Sequence, residues 1–416
     1  MITLAVAWCA VGRVEGLQAP WTAEEKYRFT PQPQCDGCDE AVPDDSWRRL
    51  IVVGDLHGDY GRMVRLLREA GLVEVDASSG QVGWVQHLEA DVPPTDVVFV
   101  GDYVDWRREA LEMGPNGEAV GNTGSMLVLR ALRALVSPAD AALGVSSGSL
   151  FGSSRRLATS LPTGVTVTAL AGNHDLMMLD AAELVVGEGE AGSDVMAAAE
   201  LARLAVPSTT KAVWAQAMEG LGPTGQMRLH KFYHWWTQGG AQTAEGFGGI
   251  EAWAVEMRRS EGSLGDWLRS SLALGVRVGD THISHTLADD SSLWSPVEVW
   301  GSGADGASTY CALRTDYTWG RGLWNQPESG VGAEILTDDK LVEALGSLNA
   351  TRMIVGHTQK STRNRPWAYR EGRIINVDQH GISGSAAFSD LIAPPAHRPA
   401  EQHIITHGAL PYAMCK

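Results

Sequence analysis

The chain is punctuated by apolar, β-branched runs that stop abruptly at a glycine and a polar cluster. RRLIVVGDLHG (48–58), TDVVFVGDYVD (95–105), GVTVTALAGNHD (164–175), VRVGDTHISHT (276–286) and ATRMIVGHTQ (350–359) are such units, and GRIINVDQHG (372–381) follows closely. Uninterrupted apolar runs read as strands buried on both faces. Helical patterns lie between them. YGRMVRLLREA (60–70) sets Met63, Leu66, Leu67 and Ala70 at helical spacing. TGSMLVLRALRAL (123–135) does the same and ends before Ser137 and Pro138. Strands alternating with helices predict an α/β architecture with covered sheets. The polar clusters then gather at one edge, where the carboxyl ends of strands meet loops.

Several stretches break this rhythm. Residues 20–45 are rich in Pro, Asp and Gly and read as an irregular lead-in. Residues 139–162 contain the Ser/Gly-rich GVSSGSLFGSSRR, the pattern of a flexible loop. Residues 180–262 carry Ala, Trp and helical periodicity and read as a helical cap inserted in the fold. From about residue 393 to 416 the pattern is that of a loose tail. Residues 1–19 include the apolar run ITLAVAWCAV but lack a basic flank. They read as a cleaved signal, which would place the protein in a secretory compartment or organelle, or as an apolar N-terminal strand or an imperfect gene start, with a cytoplasmic protein.

Composition narrows the partners. Among 416 residues, 33 Lys and Arg face 50 Asp and Glu, giving a net charge of −17 and a pI near 5.1. That argues against non-specific binding to nucleic acid or anionic membranes. No apolar run is long enough to span a bilayer. Cys35 and Cys38 form one CxxC, which is half of a structural zinc site. A local disulfide or free thiols are the simpler readings.

The strand-end clusters supply Asp55 and His57, Asp102, Asn173 and His174, His285, and His357. Carboxylate, imidazole and amide oxygen suit Mn, Fe or Zn. One Asp can bridge two metals about 3.5–4 Å apart, which acidify a water between them and grip phosphoryl oxygens for in-line attack. A single GD, GN or GH at a strand end is usually a turn. Independent turns are a poor account of five clusters in order, each directly after an apolar strand.

GDLHG, GDYVD, GNHD, the final His of HISH and VGHT together resemble the ordered signature of the calcineurin-like metallophosphoesterases. Within that superfamily the chain resembles the phosphoprotein phosphatase branch, and most of all the Shewanella-like protein phosphatases. GSLGDWLRSSLALGVRVGDTHISHT, TWGRGLW and RIINVDQHGISG carry that narrower resemblance. It spans about residues 46–392. It implies a sandwich of two mixed β-sheets flanked by helices, with the cap inserted. It also implies two divalent metal ions. Asp55, His57 and Asp102 would hold the first, and Asp102, Asn173, His285 and His357 the second. His174 would be the general acid, oriented by Asp105. Arg321 and Arg107 would bind phosphate. The implied substrates are phosphoproteins, phosphotyrosine among them, or small phosphoesters.

The departures are specific. Trp106 stands where the family's second motif has Arg, and Arg107 comes one place late, with Arg108 beside it. Thr286 and Leu287 replace the glycines that usually follow the fourth-motif His. Asp175 stands where protein phosphatases carry Glu, as in the related diadenosine tetraphosphate hydrolases. A dinucleoside polyphosphate hydrolase and a non-catalytic metal-retaining binding protein are therefore the alternatives. His282 reads as structural. His230 and His234 have i,i+4 spacing without the HExxH glutamate and read as core or surface residues. Trp235 and Trp236 read as packing or as an aromatic groove wall. His380 reads as an outer-layer residue of the site.

Overall fold

A computed structural model describes residues 48–75, 82–85, 94–105, 123–136, 161–186, 207–219, 221–258, 260–286, 318–320, 338–348, 350–357, 367–369, 373–378, 389–393 and 403–406. Residues 1–19, the 20–45 lead-in with Cys35 and Cys38, most of 139–162, and Trp106, Arg107, Arg108, Leu287, Arg321 and His380 lie outside them.

The architecture is mixed α/β. Its strands are β1 (Arg48–Val53), β2 (Val73–Val75), β3 (Val82–Trp84), β4 (Thr95–Phe99), β5 (Val165–Ala169), β6 (Ala273–Val278), β7 (Thr281–Ser284), β8 (Arg352–Val355), β9 (Trp367–Tyr369), β10 (Ile374–Asn376), β11 (Ser389–Ala393) and β12 (His403–Thr406). One sheet has the order β11-β1-β4-β5, with β1, β4 and β5 parallel and β11 antiparallel. The other runs β12-β6-β7-β8-β10-β9, with β7, β8 and β10 parallel. Leu50, Val52, Val98 and Val100 of the first sheet share an apolar cluster with Val276, Ile283, Ile354 and Ile375 of the second. Strands covered in this way have no polar face, which is why their sequences are continuous apolar runs.

The helices are α1 (Tyr60–Glu69), α2 (Gly124–Val136), α3 (Asn173–Val186), α4 (Pro207–Glu219), α5 (Pro223–Trp235), α6 (Ala241–Gly246), α7 (Ile250–Glu256), α8 (Leu264–Ser271) and α9 (Asp338–Ser347). The Asp59 side chain accepts the Arg62 N–H at 2.8 Å and caps α1. The same polar string that ends β1 therefore starts the next helix. Met63, Val64, Leu66 and Leu67 of α1 are fully buried, each contributing about 1.5–3 kcal/mol relative to exposure. No helix among the described residues is long and apolar enough to cross a membrane.

Three details differ from the sequence expectation. VGDTHIS, which reads as a single strand leading to His285, spans a hairpin: Gly279 and Asp280 turn between β6 and β7, which pair antiparallel. The 393–416 tail contributes β12, which pairs antiparallel with β6. The helices α4, α5 and α7 share the main core: Trp214, Phe232, Trp235 and Trp253 are buried with Met63 and Leu129.

Candidate metal centre

Five loops meet at the carboxyl ends of β1, β4, β5, β7 and β8, carrying Asp55 and His57, Asp102 and Asp105, Asn173 and His174, His285, and His357. Asp55, His57, Asp102, Asp105, Asn173, His174 and His285 are all buried. Among the described residues, the non-glycine residues with positive φ are His57 (43°), Asp102 (51°), Asp105 (70°) and His357 (64°). Every one belongs to this cluster. Left-handed backbone at such residues is costly and persists where surroundings enforce it.

The ligand-capable atoms fall into two groups, each within 4.8 Å: His57, Asp102 and His174, and Asp102, His285 and His357. Asp102 belongs to both. Asn173 Oδ1 lies 3.1 Å from His285 Nε2 and 2.8 Å from His357 Nδ1. His285 Nδ1 donates to the Val100 carbonyl at 2.9 Å, and His57 Nδ1 to the Val104 carbonyl at 3.0 Å. Those bonds leave each Nε2 as a lone-pair donor facing the Asp102 carboxylate, at 3.5 Å and 3.7 Å. Asp55 joins neither group at that reach. Its Oδ2 accepts the His357 N–H at 2.9 Å, and its Oδ1 is buried without a hydrogen-bond partner.

Burial and mutual charge shift the titration of these groups. Burial and then the Asp378 charge push the Asp55 carboxyl well above the usual range. Burial also works to raise Asp102, but the charges of His285 and His174 hold it well below. Burial works to lower His285, yet the charge and hydrogen bond of Asp102 carry it up to about 9. Converging lone pairs and an orphaned carboxylate oxygen fit divalent metal.

His174 belongs to the first group and is also tied to Asp105. Its Nδ1 lies 2.9 Å from Asp105 Oδ2, both groups buried. Its ring meets His57 edge-on at 4.9 Å. Burial raises the Asp105 carboxyl, opposed by the hydrogen bonds of His174 and Thr243.

Several contributors escape sequence reasoning. Asp175 accepts backbone N–H bonds from Asp102, Tyr103 and Gly172 at 2.8–2.9 Å. Burial and the Asp102 charge carry its carboxyl up to about 7. A Cβ on Gly172 would lie 2.2 Å from Asp102 N and Oδ1, so the glycine of GNHD permits the approach of two loops. Thr243 and Trp235 reach Asp105 from α6 and α5. No local pattern announces them, because their partner lies 138 and 130 residues away.

Thr286 is buried, and its hydroxyl donates to the Gly320 carbonyl at 2.5 Å. That bond ties the residue after His285 to the TWG segment, whose Trp319 ring lies 6.2 Å from those of His357 and His234. Trp235 and Trp236 are buried, so their aromatic faces are core and not a groove wall. His282 is buried within β7, while His285 follows the strand and faces the cluster. Neither His230 nor His234 joins a group of converging ligand atoms among the described residues.

No protein-family model and no curated protein matches the chain. Among solved structures, the cold-active protein-tyrosine phosphatase of a psychrophilic Shewanella sp. is similar at 17% identity and a TM-score of 0.34, over 79% of this chain and 70% of that one. A point mutant of a cold-active protein tyrosine phosphatase is similar at 15% identity and a TM-score of 0.37, over 86% of this chain and 76% of that one.

Proposed function

We propose that the protein is a metal-dependent phosphatase that hydrolyses phosphomonoesters. The observation that carries this reading is the double membership of Asp102, whose carboxylate faces both groups of imidazole ligands. When bound there, two divalent ions, Mn with Fe or Zn as alternatives, supply an acidified water and charge compensation for in-line displacement at phosphorus. His57 and Asp55 would hold the first ion with Asp102; Asn173, His285 and His357 would hold the second with Asp102. The two sheets would form the metallophosphoesterase sandwich, with residues 180–262 as its insertion.

The chain's own residues divide the remaining work. The Val100 and Val104 carbonyls fix the tautomers of His285 and His57. His174 delivers a proton to the departing oxygen as its bond to phosphorus breaks. Asp105 orients the ring and stabilises its protonated form. Arg321 and Arg107 would take the phosphoryl oxygens through a planar guanidinium fork. Phosphoproteins, including phosphotyrosine, are the proposed substrates.

Neither alternative gains from the geometry. Asp175 binds backbone N–H groups, so its presence is explained without a dinucleotide substrate. Thr286 spends its hydroxyl on Gly320, so it is no sign of a decayed site. The test is hydrolysis of p-nitrophenyl phosphate with added Mn²⁺, with chelator, and in Asn173→Ala of known metal content. Metal-dependent turnover that collapses in the variant supports the site. Equal turnover in the variant removes it.

A further inference from the structure

Among the described residues, α5, α6 and the turn between them press on Asp105 with unusual geometry. α5 and α6 are joined by a wide, π-type turn, Trp236–Gly240, in which Gly239 leaves helical geometry at φ 116°. Such bulges recur at functional sites because they re-aim neighbouring side chains. A Cβ on Gly239 would lie 2.7 Å from the backbone C and O of Asp105, so the turn is pressed directly onto that residue. Trp235, at the end of α5, donates its Nε1–H to Asp105 Oδ1 at 3.1 Å. Thr243, in α6, receives the Asp105 backbone N–H at 3.0 Å and donates its hydroxyl to Oδ1 at 2.9 Å. Asp105 Oδ2 is left to His174.

We propose that Trp235 and Thr243 are positioning residues for proton delivery, clamping Asp105 Oδ1 so that Oδ2 holds the His174 ring at the leaving-group side of the centre. This rests on the phosphatase reading above. Asp105 sits in left-handed backbone at φ 70° and is buried, so its direction is not set by local preference. Two side-chain donors, and a threonine hydroxyl that accepts the Asp105 backbone N–H, set it instead. The proton balance is simple. The His174 imidazolium carries a proton on each nitrogen, gives the Nε2 proton to the departing oxygen, and keeps Nδ1–H on Asp105. Solvent then restores the Nε2 proton. A ring free to rotate would miss the oxygen, and the loss would grow with the basicity of the leaving group.

The experiment uses the metal-loaded full chain with Trp235→Phe, Thr243→Val and Thr243→Ser, and the substrates phenyl phosphate and p-nitrophenyl phosphate. Phe preserves the ring that stacks on Trp253 at 4.4 Å while deleting the donor. With the clamp real, kcat/KM on phenyl phosphate falls roughly tenfold or more in the Phe and Val variants, by about twofold to threefold on p-nitrophenyl phosphate, and Ser restores most of it. Bound metal per chain stays at the wild-type value. Equal losses on both substrates, or no loss, overturn the clamp. A second readout is independent of turnover: in the chain loaded with diamagnetic Zn²⁺, the His174 Nδ1 proton on Asp105, followed by NMR, shifts or broadens in the Phe and Val variants. Wild type inactive on both substrates with metals bound sinks the phosphatase reading, while an unchanged His174 resonance sinks the clamp.

Discussion

The backbone N–H of Asp102 donates to Asp175 Oδ2 at 2.8 Å, across 73 residues of sequence. The same carboxylate takes Gly172 N–H on Oδ2 and Tyr103 N–H on Oδ1. One side chain at the start of α3 therefore fixes the loop after β4, whose Asp102 is held at φ 51°. Strain of that kind is retained only when neighbouring bonds over-determine it.

Asp175→Asn keeps the shape and exchanges one acceptor oxygen for a donor NH2 that faces backbone N–H groups. Leaving buried donors unanswered costs about 1–3 kcal/mol each. The expected result is a fall of about 2–3 kcal/mol in unfolding free energy, read from urea midpoints, with less Mn²⁺ retained per chain after desalting. A variant matching wild type in both would show that Asp102 does not depend on this carboxylate.

Thr286→Gly tests what the threonine does. Its hydroxyl holds Gly320, and with it Trp319, against the ring of His357. Losing one hydrogen bond of about 1 kcal/mol predicts a KM for p-nitrophenyl phosphate raised about fivefold. Thr286→Ser stays near wild type. A lower KM or a faster turnover in the glycine variant would instead mark Thr286 as an obstruction.

How legible these features were depended on how local their causes are. Asp55, His57, Asp102, Asn173, His285 and His357 each follow directly from an apolar strand, so a short window of sequence carries both the strand and its terminal chemistry. The β6–β7 hairpin was hidden because Gly279 and Asp280 sit inside a run that reads as one strand. β12 was hidden because its apolar partner, β6, lies far away in sequence while its own surroundings are rich in Pro. Trp235 and Thr243 were hidden for the same reason: each has ordinary local spacing and a partner more than a hundred residues distant.

Gly172 offers a test of packing at the centre. A Cβ there would meet Asp102 N and Oδ1 at 2.2 Å; the first is backbone and the second is held by the His174 N–H at 2.9 Å. Gly172→Ala is expected to destabilise by about 3 kcal/mol or more and to lower metal retention. Gly346→Ala in α9, whose Cβ would meet nothing within 4 Å, is the control and is expected to be neutral or to stabilise by up to about 1 kcal/mol. Thermal unfolding of both variants side by side makes the comparison; similar melting temperatures would disprove the close approach.

His282 predicts a pH dependence separable from the centre. Burial, then the Arg277 charge, lowers its imidazole from 6.5 to about 4. The folded state therefore resists protonation that the unfolded chain accepts. The sign follows: the contribution is complete above pH 6.5 and is lost as pH falls from there through about 4. A shift of that size corresponds to about 3 kcal/mol. Asp102, held low in the folded state, also loses its contribution in acid, but it does so equally in any variant that keeps it. His282→Gln removes only the histidine's share. Urea unfolding at pH 7 and pH 4.5 is expected to show wild type losing about 2–3 kcal/mol more than the variant between the two. Parallel losses would mean that His282 takes up its proton in the folded protein without penalty, and that the strand holding it opens to solvent in acid.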